Sequence, residues 1–211
     1  AEDSLVAVGN FIADYAARKI AEVEDQVFFL NLNGATYGAV AGLCASTITN
    51  AKVTQMAATK THYSDATLQN LRDLRTVPDA SALRMGAYYC HPTFEALFAS
   101  FNTSGNKPYN PIAQIQGTGA QPFITGPTVD GFPIRWVDIM PAYSTGANVS
   151  KVFILFGDLR YQYLGVRGQF RFDTSLEAAF TTDEILIRAL ERFTIGLMAT
   201  GAVGGLETAG S

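Results

Sequence analysis

The feature that most limits what this chain can fold into is an apolar repeat at its start. Leu5, Val8, Ile12, Tyr15, Ile20, Val23, Val27 and Leu30 follow one another at steps of three and four, with a single step of five. That is the spacing of one face of an α-helix. Asp3 and Ser4 offer N-cap oxygens and Asn33 with Gly34 offers a stop, so the pattern predicts a helix of about 27 residues and ~40 Å. This is about twice the usual globular length. The repeat is not sustained as heptads with charged flanks, so its apolar face is expected to pack on a sheet of the same chain rather than in a coiled coil.

Beyond this helix the signals are shorter. Gly34–Gly42 reads as a loop of small residues and Val53–Ala58 as a strand. A second helix is expected over Ser64–Thr76, capped by Ser64 and stopped before Pro78, with Leu68, Leu71 and Leu74 as its buried stripe. In ALRMGAYYC, Leu83, Met85, Ala87 and Tyr89 alternate as a strand with one core face requires. His91, Pro92 and Thr93 open a third helix with Phe94, Leu97, Phe98 and Phe101 on one face, Pro92 being harmless in a first turn that needs no amide donor. Asn102–Thr128 reads as a long loop with short strands at Ala113–Ile115 and Phe123–Ile124. Further strands are expected at Ile134–Ile139, Val152–Phe156 and Gln169–Phe172. In EILIRALERFTIGLM, Arg188, Glu191 and Arg192 group at helical spacing while Ile185, Ile187 and Ala189 alternate, so periodicity leaves helix and strand both open. The closing TGAVGGLETAGS ends in residues that read as flexible.

Charge narrows the function classes. Only 16% of the 211 residues are charged, with 15 basic and 19 acidic side chains and a net charge of -4, against roughly 25% in an average soluble protein. A compact monomer of 22.7 kDa exposes roughly 9,500 Å², or about one charge per 280 Å². Broad neutral patches follow, and they point to association. A pI near 5.1 without a basic run excludes binding through many phosphate contacts. The sequence holds no apolar run of membrane-spanning length and no basic-then-apolar leader.

The search for chemistry returns structural readings. Cys44, His62, Cys90 and His91 match a zinc site in number but not in spacing, and Cys90 and His91 are adjacent where side chains point to opposite faces. The thiols are expected reduced and partly buried, His91 as a helix cap and His62 as a loop residue. No serine sits in a nucleophile elbow, no phosphate-binding loop occurs, and the glycines from Gly117 and Gly201 lack the flanking elements of a nucleotide site. The acidic groups Glu22, Glu24, Asp25 and Asp183, Glu184 read as solvated surface, and the sequons at Asn102 and Asn148 as chance matches without a secretory signal. No catalytic, cofactor-binding or metal residue is assigned, and no cofactor is expected.

Several segments in succession carry a resemblance: DSL opening a long helix that closes on EDQVFFLNLNG (Glu24–Gly34), then CHPTFEALF (Cys90–Phe98), DGFPIRWVDIMP (Asp130–Pro141), VFILFGDLRYQYLGVRG (Val152–Gly168) and FTTDEILIRALERF (Phe180–Phe193). In this order they resemble the major capsid proteins of tailed bacteriophages, the Hong Kong 97 type family, over nearly the whole chain. The family often has Asn where this chain has His91, and a more apolar last strand than AVGGLETAG. The resemblance implies an α+β fold in which a long spine helix packs on antiparallel strands that include Asp183–Met198. Residues 1–34 and 159–198 would form this peripheral domain, and 35–158 with 199–211 a mixed α/β axial domain. It implies an N-terminal arm and an extended loop ahead of Ala1, which would make the 211 residues the folded core of a longer polypeptide; the cross-linking lysine of some members belongs to that loop, so no cross-linking residue is assigned among these residues. The function implied is that of a structural subunit, not an enzyme, whose copies form the pentamers and hexamers of an icosahedral shell around DNA. Its partners are then copies of itself in capsomers, with scaffolding, portal or decoration proteins besides, without sequence-specific nucleic-acid binding and without a membrane. Its place is the virion, and the bacterial cytoplasm during assembly. The alternative on the same fold is an encapsulin-like nanocompartment shell around a cargo enzyme. An enzyme with a site near Asn102–Thr128 is a third reading that no motif supports.

Overall fold

The computed structural model describes residues 2–30, 41–115, 124–168, 171–175 and 186–210. Helix α1 spans Glu2–Phe29, 28 residues. It begins ahead of Asp3 and Ser4, so these lie inside the first turn, where acidic and polar groups suit the positive end of the helix dipole. Asn33 and Gly34, expected as its stop, lie outside the described residues. Helix α2, Leu43–Thr49, stands near the stretch expected to be loop. Its β-branched content is unfavourable, and hydroxyls and an amide reach back to the helix carbonyls: Thr47 Oγ1 to Cys44 O (2.9 Å), Thr49 Oγ1 to Ala45 O (3.0 Å) and Asn50 Nδ2 to Ser46 O (2.8 Å). Burial of Leu43, Cys44 and Thr47 holds it in place.

Strand β1 is Val53–Gln55. Helix α3, Leu68–Leu74, carries the expected stripe but a different cap. Ser64 sits in a 3-10 turn at Tyr63–Asp65, pinned by the buried Tyr63, and the helix starts only after Thr67. Thr67 Oγ1 accepts from Asn70 N (3.3 Å) while Asn70 Oδ1 accepts from Thr67 N (2.9 Å). The predicted strand from Leu83 divides: α4 takes Ala80–Leu83, and β2 is only Ala87–Cys90. Tyr88 and Cys90, on the face opposite Ala87 and Tyr89, are fully buried, so β2 has no solvent face, and Met85 is exposed. His91 does cap the next turn, its Nδ1 accepting from Thr93 N (3.2 Å), and Pro92 leads through a 3-10 turn into α5, Glu95–Ser100. Phe94 and Phe98 bury, as their spacing predicted.

The predicted long loop is largely a hairpin of β3, Tyr109–Ile115, and β4, Ile124–Val129; residues 116–123 are outside the described set. Pro111 and Ile112 stand opposite Pro127 at a register shift, and β3 lies at the edge of its sheet, where proline is tolerated. Asp130 and Gly131, both at positive φ (47° and 82°), turn the chain into β5, Phe132–Trp136, by a two-residue connection. Then follow β6, Val152–Gly157; β7, Gln162–Val166; β8, Arg171–Ser175; β9, Leu186–Leu190; β10, Phe193–Leu197; and β11, Val203–Glu207. The ambiguous segment is thus strand, broken at Glu191 and Arg192 because its halves pair elsewhere: β9 with β8 and β10 with β7, both antiparallel. Asp183 and Glu184 lie outside the described residues.

A seven-stranded sheet organises the rest, in the order β1-β11-β6-β2-β5-β4-β3. The β1/β11 and β2/β5 pairs are parallel and the others antiparallel. β6 reads VFILFG, apolar at successive positions, and all six residues are buried, as a central strand covered on both faces requires. Within the closing segment β11 is held between β1 and β6, and Val203 and Leu206 have no exposure. Gly204 and Gly205 serve close approach, Gly205 lying against Thr47 and Val152 and Gly204 against Val77. One buried cluster gathers Tyr63, Leu71, Tyr88, Phe94, Phe153 and Phe156 with their neighbours, and a second joins Phe29, Leu43, Met140, Leu155 and Val203. Through this second cluster the last turn of α1 is anchored.

Candidate assembly surface

The residues singled out for chemistry are placed apart. Cys44 lies on α2, its sulfur 3.9 Å from that of Met140, and burial pushes its thiol up to about 12. Cys90 ends β2, fully buried, its thiol also pushed up by burial. His62 precedes the Tyr63–Asp65 turn with Nδ1 3.1 Å from Thr145 O, and His91 caps its turn. Among the described residues no three His, Cys, Asp or Glu side chains converge as metal ligands. Glu22 pairs with Lys19 (2.6 Å), whereas Glu24 faces Glu191, and burial together with that carboxylate raises its pKa. Both sequon asparagines hold loops: Asn102 exchanges bonds with the backbone of Tyr109 (2.9 and 3.0 Å), and Asn148 Nδ2 donates to Ser144 Oγ (2.7 Å) and Gly146 O (2.8 Å).

What the molecule does present is uncovered apolar surface. Among the described side chains of α1 the buried ones lie at its end: Val27 and Phe29 bury, and the helix lies on α2 and β10. Further back, Phe11 (71% exposed), Tyr15 (57%), Ile12 and Val23 face solvent. At 100° per residue these four fall within about 120° of the helix circumference, so they form one side of the rod. Among the described residues, the expectation that this face packs within the chain is met at Val27 and not at Ile12, Tyr15 and Val23.

The β7/β10 ribbon repeats the theme. Leu164 (55%) and Val166 (52%) are exposed on one face, where they stand opposite Ile195 and Phe193, and Met198 follows at 73%. A two-stranded ribbon is marginal by itself, and hydrophobic side chains left in water at alternate positions imply a covering partner.

A second feature is polar. Where β2, β5 and the turn after β6 meet, a cleft of about 780 Å³ is lined by Arg84, Arg135 and Arg160, with Gly86, Ala87 and Gly131 among its small residues. Asp158 is its one acid. Its side chain is nearly buried and Arg160 takes both oxygens, Nε at 3.0 Å from each and Nη2 at 2.6 Å from Oδ2. These bonds hold the Asp158 carboxyl below the usual range. Arg84 and Arg135 make no ion pair among the described residues. Sequence reasoning missed the cleft because its arginines come from positions 84, 135 and 160 with no shared motif.

A family model described as the phage capsid family matches residues 1–206. Among solved structures, the capsid of the native GTA particle superposes with a TM-score of 0.62 at 16% identity, covering 95% of this chain and 65% of that one. The capsid of the empty GTA particle gives 0.60 at 14%, covering 95% and 66%. A structure from Mycobacterium phage Ogopogo gives 0.55 at 14%, covering 95% and 67%. The chain therefore spans just under two-thirds of the length of the two GTA chains. No curated protein matches the sequence.

Proposed function

This chain belongs to the phage capsid family, and from that membership we propose that it is the shell-forming part of a major capsid protein whose copies associate into pentamers and hexamers around viral DNA. Its role is structural. The observation that carries the reading is the exposed apolar side of α1 together with the exposed ribbon face, Phe11 and Tyr15 on one and Leu164 and Val166 on the other. Burying such surface is the main favourable term in association. Sparse charge lowers repulsion among many copies, and a net charge of -4 avoids a grip on the enclosed DNA. No helix among the described residues is long and apolar enough to cross a membrane.

The same reading divides the chain into a peripheral part, 1–34 and 159–198, and an axial part, 35–158 and 199–211. The seven-stranded sheet supports this division, since all its strands fall in the second set, whereas α1 and both two-stranded ribbons fall in the first. Assembly is placed in the bacterial cytoplasm, with scaffolding, portal or decoration proteins joining the shell.

The test is to express the natural gene product in a bacterial host and image sedimenting material by cryo-electron microscopy. Closed shells built of pentamers and hexamers of this fold are expected. Carboxylates on the rod, Phe11→Asp with Tyr15→Asp, should leave thermal unfolding unchanged and prevent shells. Particles that retain a cargo protein and no DNA during infection would overturn the viral assignment, and folded monomers alone would overturn the structural one.

A further inference from the structure

The arginine cleft and the acidic end of α1 are two opposite charges that leave each other unsatisfied. Arg84 and Arg135 line the cleft without ion-pair partners among the described residues, and Asp158 is already saturated by Arg160. The cleft therefore carries about two uncompensated positive charges on a chain that is acidic as a whole. Gly131 at its lining, with open space where a side chain would stand, leaves room for entering groups.

The complement lies next door. Glu24 and Asp25 on α1 line a crevice with Phe28, Gln162 and Ile195. Glu24 faces Glu191, at the break between β9 and β10, a juxtaposition of like charges that an opposite charge from outside would relieve. None of these three acids has a salt bridge among the described residues. Gln162 borders both sites, lining the cleft on one side and the crevice on the other.

We propose that a second copy of this chain docks across Gln162 about a two-fold axis, setting its Glu24, Asp25 and Glu191 into the cleft of Arg84 and Arg135 while receiving the reciprocal contact. Adjacent patches of opposite sign on one face are self-complementary in that arrangement: rotation by a half-turn lays positive on negative twice. Guanidinium forks suit carboxylates, and pairs shielded from water at an interface gain strength. This rests on the capsid reading for the existence of copies, and it adds where and by what charges they meet.

The experiment uses two variants of the natural gene product, one with Arg84→Glu and Arg135→Glu, the other with Glu24→Lys and Asp25→Lys, each checked for an unchanged circular dichroism melt. In sedimentation velocity at low salt, each variant alone should need a concentration roughly tenfold or more above the unmodified protein to associate. An equimolar mixture should recover association, because each supplies the charge the other lacks at both halves of the contact. Raising salt should weaken the unmodified protein and the mixture alike. If both variants associate like the unmodified protein, the charged contact falls while the capsid reading stands. If the mixture fails to recover although both are folded, charge pairing across this surface is refuted. If the arginine variant associates normally but loses retained DNA, the cleft serves phosphate and the proposal is likewise overturned. An unmodified protein that never associates would instead sink the capsid reading itself.

Discussion

Replacing Gly205 by alanine separates two accounts of the C-terminal segment by the sign of the effect. In a flexible tail, Gly→Ala is neutral or stabilises by ~0.4–1 kcal/mol, since alanine restricts the unfolded chain. In β11 the new methyl would stand 2.8 Å from Thr47 Oγ1 and 2.9 Å from Val152 Cγ1. Neither neighbour yields easily. Thr47 Oγ1 donates to Cys44 O at 2.9 Å, and swinging it away forfeits ~1 kcal/mol. Val152 is β-branched with one favoured rotamer and lies buried on the central strand. Overpacking of ~1–3 kcal/mol plus the lost bond, less the gain in the unfolded state, leaves a net loss of about 2 kcal/mol. Urea unfolding followed by the fluorescence of Trp136, the single tryptophan, reads this directly. With a slope near 3 kcal/mol/M the midpoint should fall by ~0.7 M. Two controls share the chemistry without the contacts: Gly146, with nothing within 4 Å, and Gly210, whose nearest neighbour would be Ser150 Oγ at 3.6 Å. Both alanine variants should stay within ~0.5 kcal/mol of the parent or rise slightly. A Gly205→Ala midpoint at or above the parent's would refute the close packing of α2 on β11.

Removing the cap with His91→Ala should lower stability by ~0.5–2 kcal/mol, whereas His91→Asn should restore most of it, because either side chain can accept from Thr93 N; equal midpoints for all three would refute the capping role. The thiols should be inert in the native protein. With Cys44 held at about 12, only ~1 in 10⁴ molecules carries its thiolate at pH 8, so a disulfide-exchange reagent should titrate both cysteines only after unfolding, and fast native labelling would contradict their burial. Asp130 accepts from Arg72 Nε (2.7 Å) and Arg75 Nη2 (3.1 Å), and the bond from Arg72, followed by the charges of both arginines, holds its carboxyl below the usual range. A lowered folded pKa means stability that is present above the unfolded carboxylate value of about 4 and is lost as pH falls through the lower folded one. Asp130→Asn should thus destabilise at pH 7 and converge on the parent in strong acid; parallel unfolding profiles across pH would show that the pairs contribute nothing.

Local signals were legible where one element decides its own conformation. The α1 repeat, the His91-Pro92 start and the apolar run of β6 are of this kind, since each satisfies its backbone within a few residues or announces full burial by composition. The Asp130-Gly131 turn belongs with them, a hairpin signal in plain view that the long-loop reading of the preceding residues passed over. Strands β9, β10 and β11 are different. Glycine is a poor strand former, so nothing in GGLE announces a strand; β1 and β6 make it one by pairing from both sides. The Arg188, Glu191, Arg192 spacing suits a helix, but β8 and β7 claim the two halves. Pairing partners far along the chain override a propensity worth a few tenths of a kcal/mol per residue.

The association surface shows a further limit that is physical and general. Periodicity reports that one side of α1 is apolar, and the natural inference is that the chain's own sheet covers it. Val27 obeys that inference and Ile12 and Tyr15 do not, although all three belong to the same repeat. An amphipathic pattern records that water must be excluded from a face, and excluding it with a neighbouring copy satisfies the requirement as well as excluding it within the fold. Low charge across the sequence was the independent sign that part of the covering comes from outside: a monomer that buried its whole repeat would need the ordinary quota of charged residues on what remained, and this chain does not carry it.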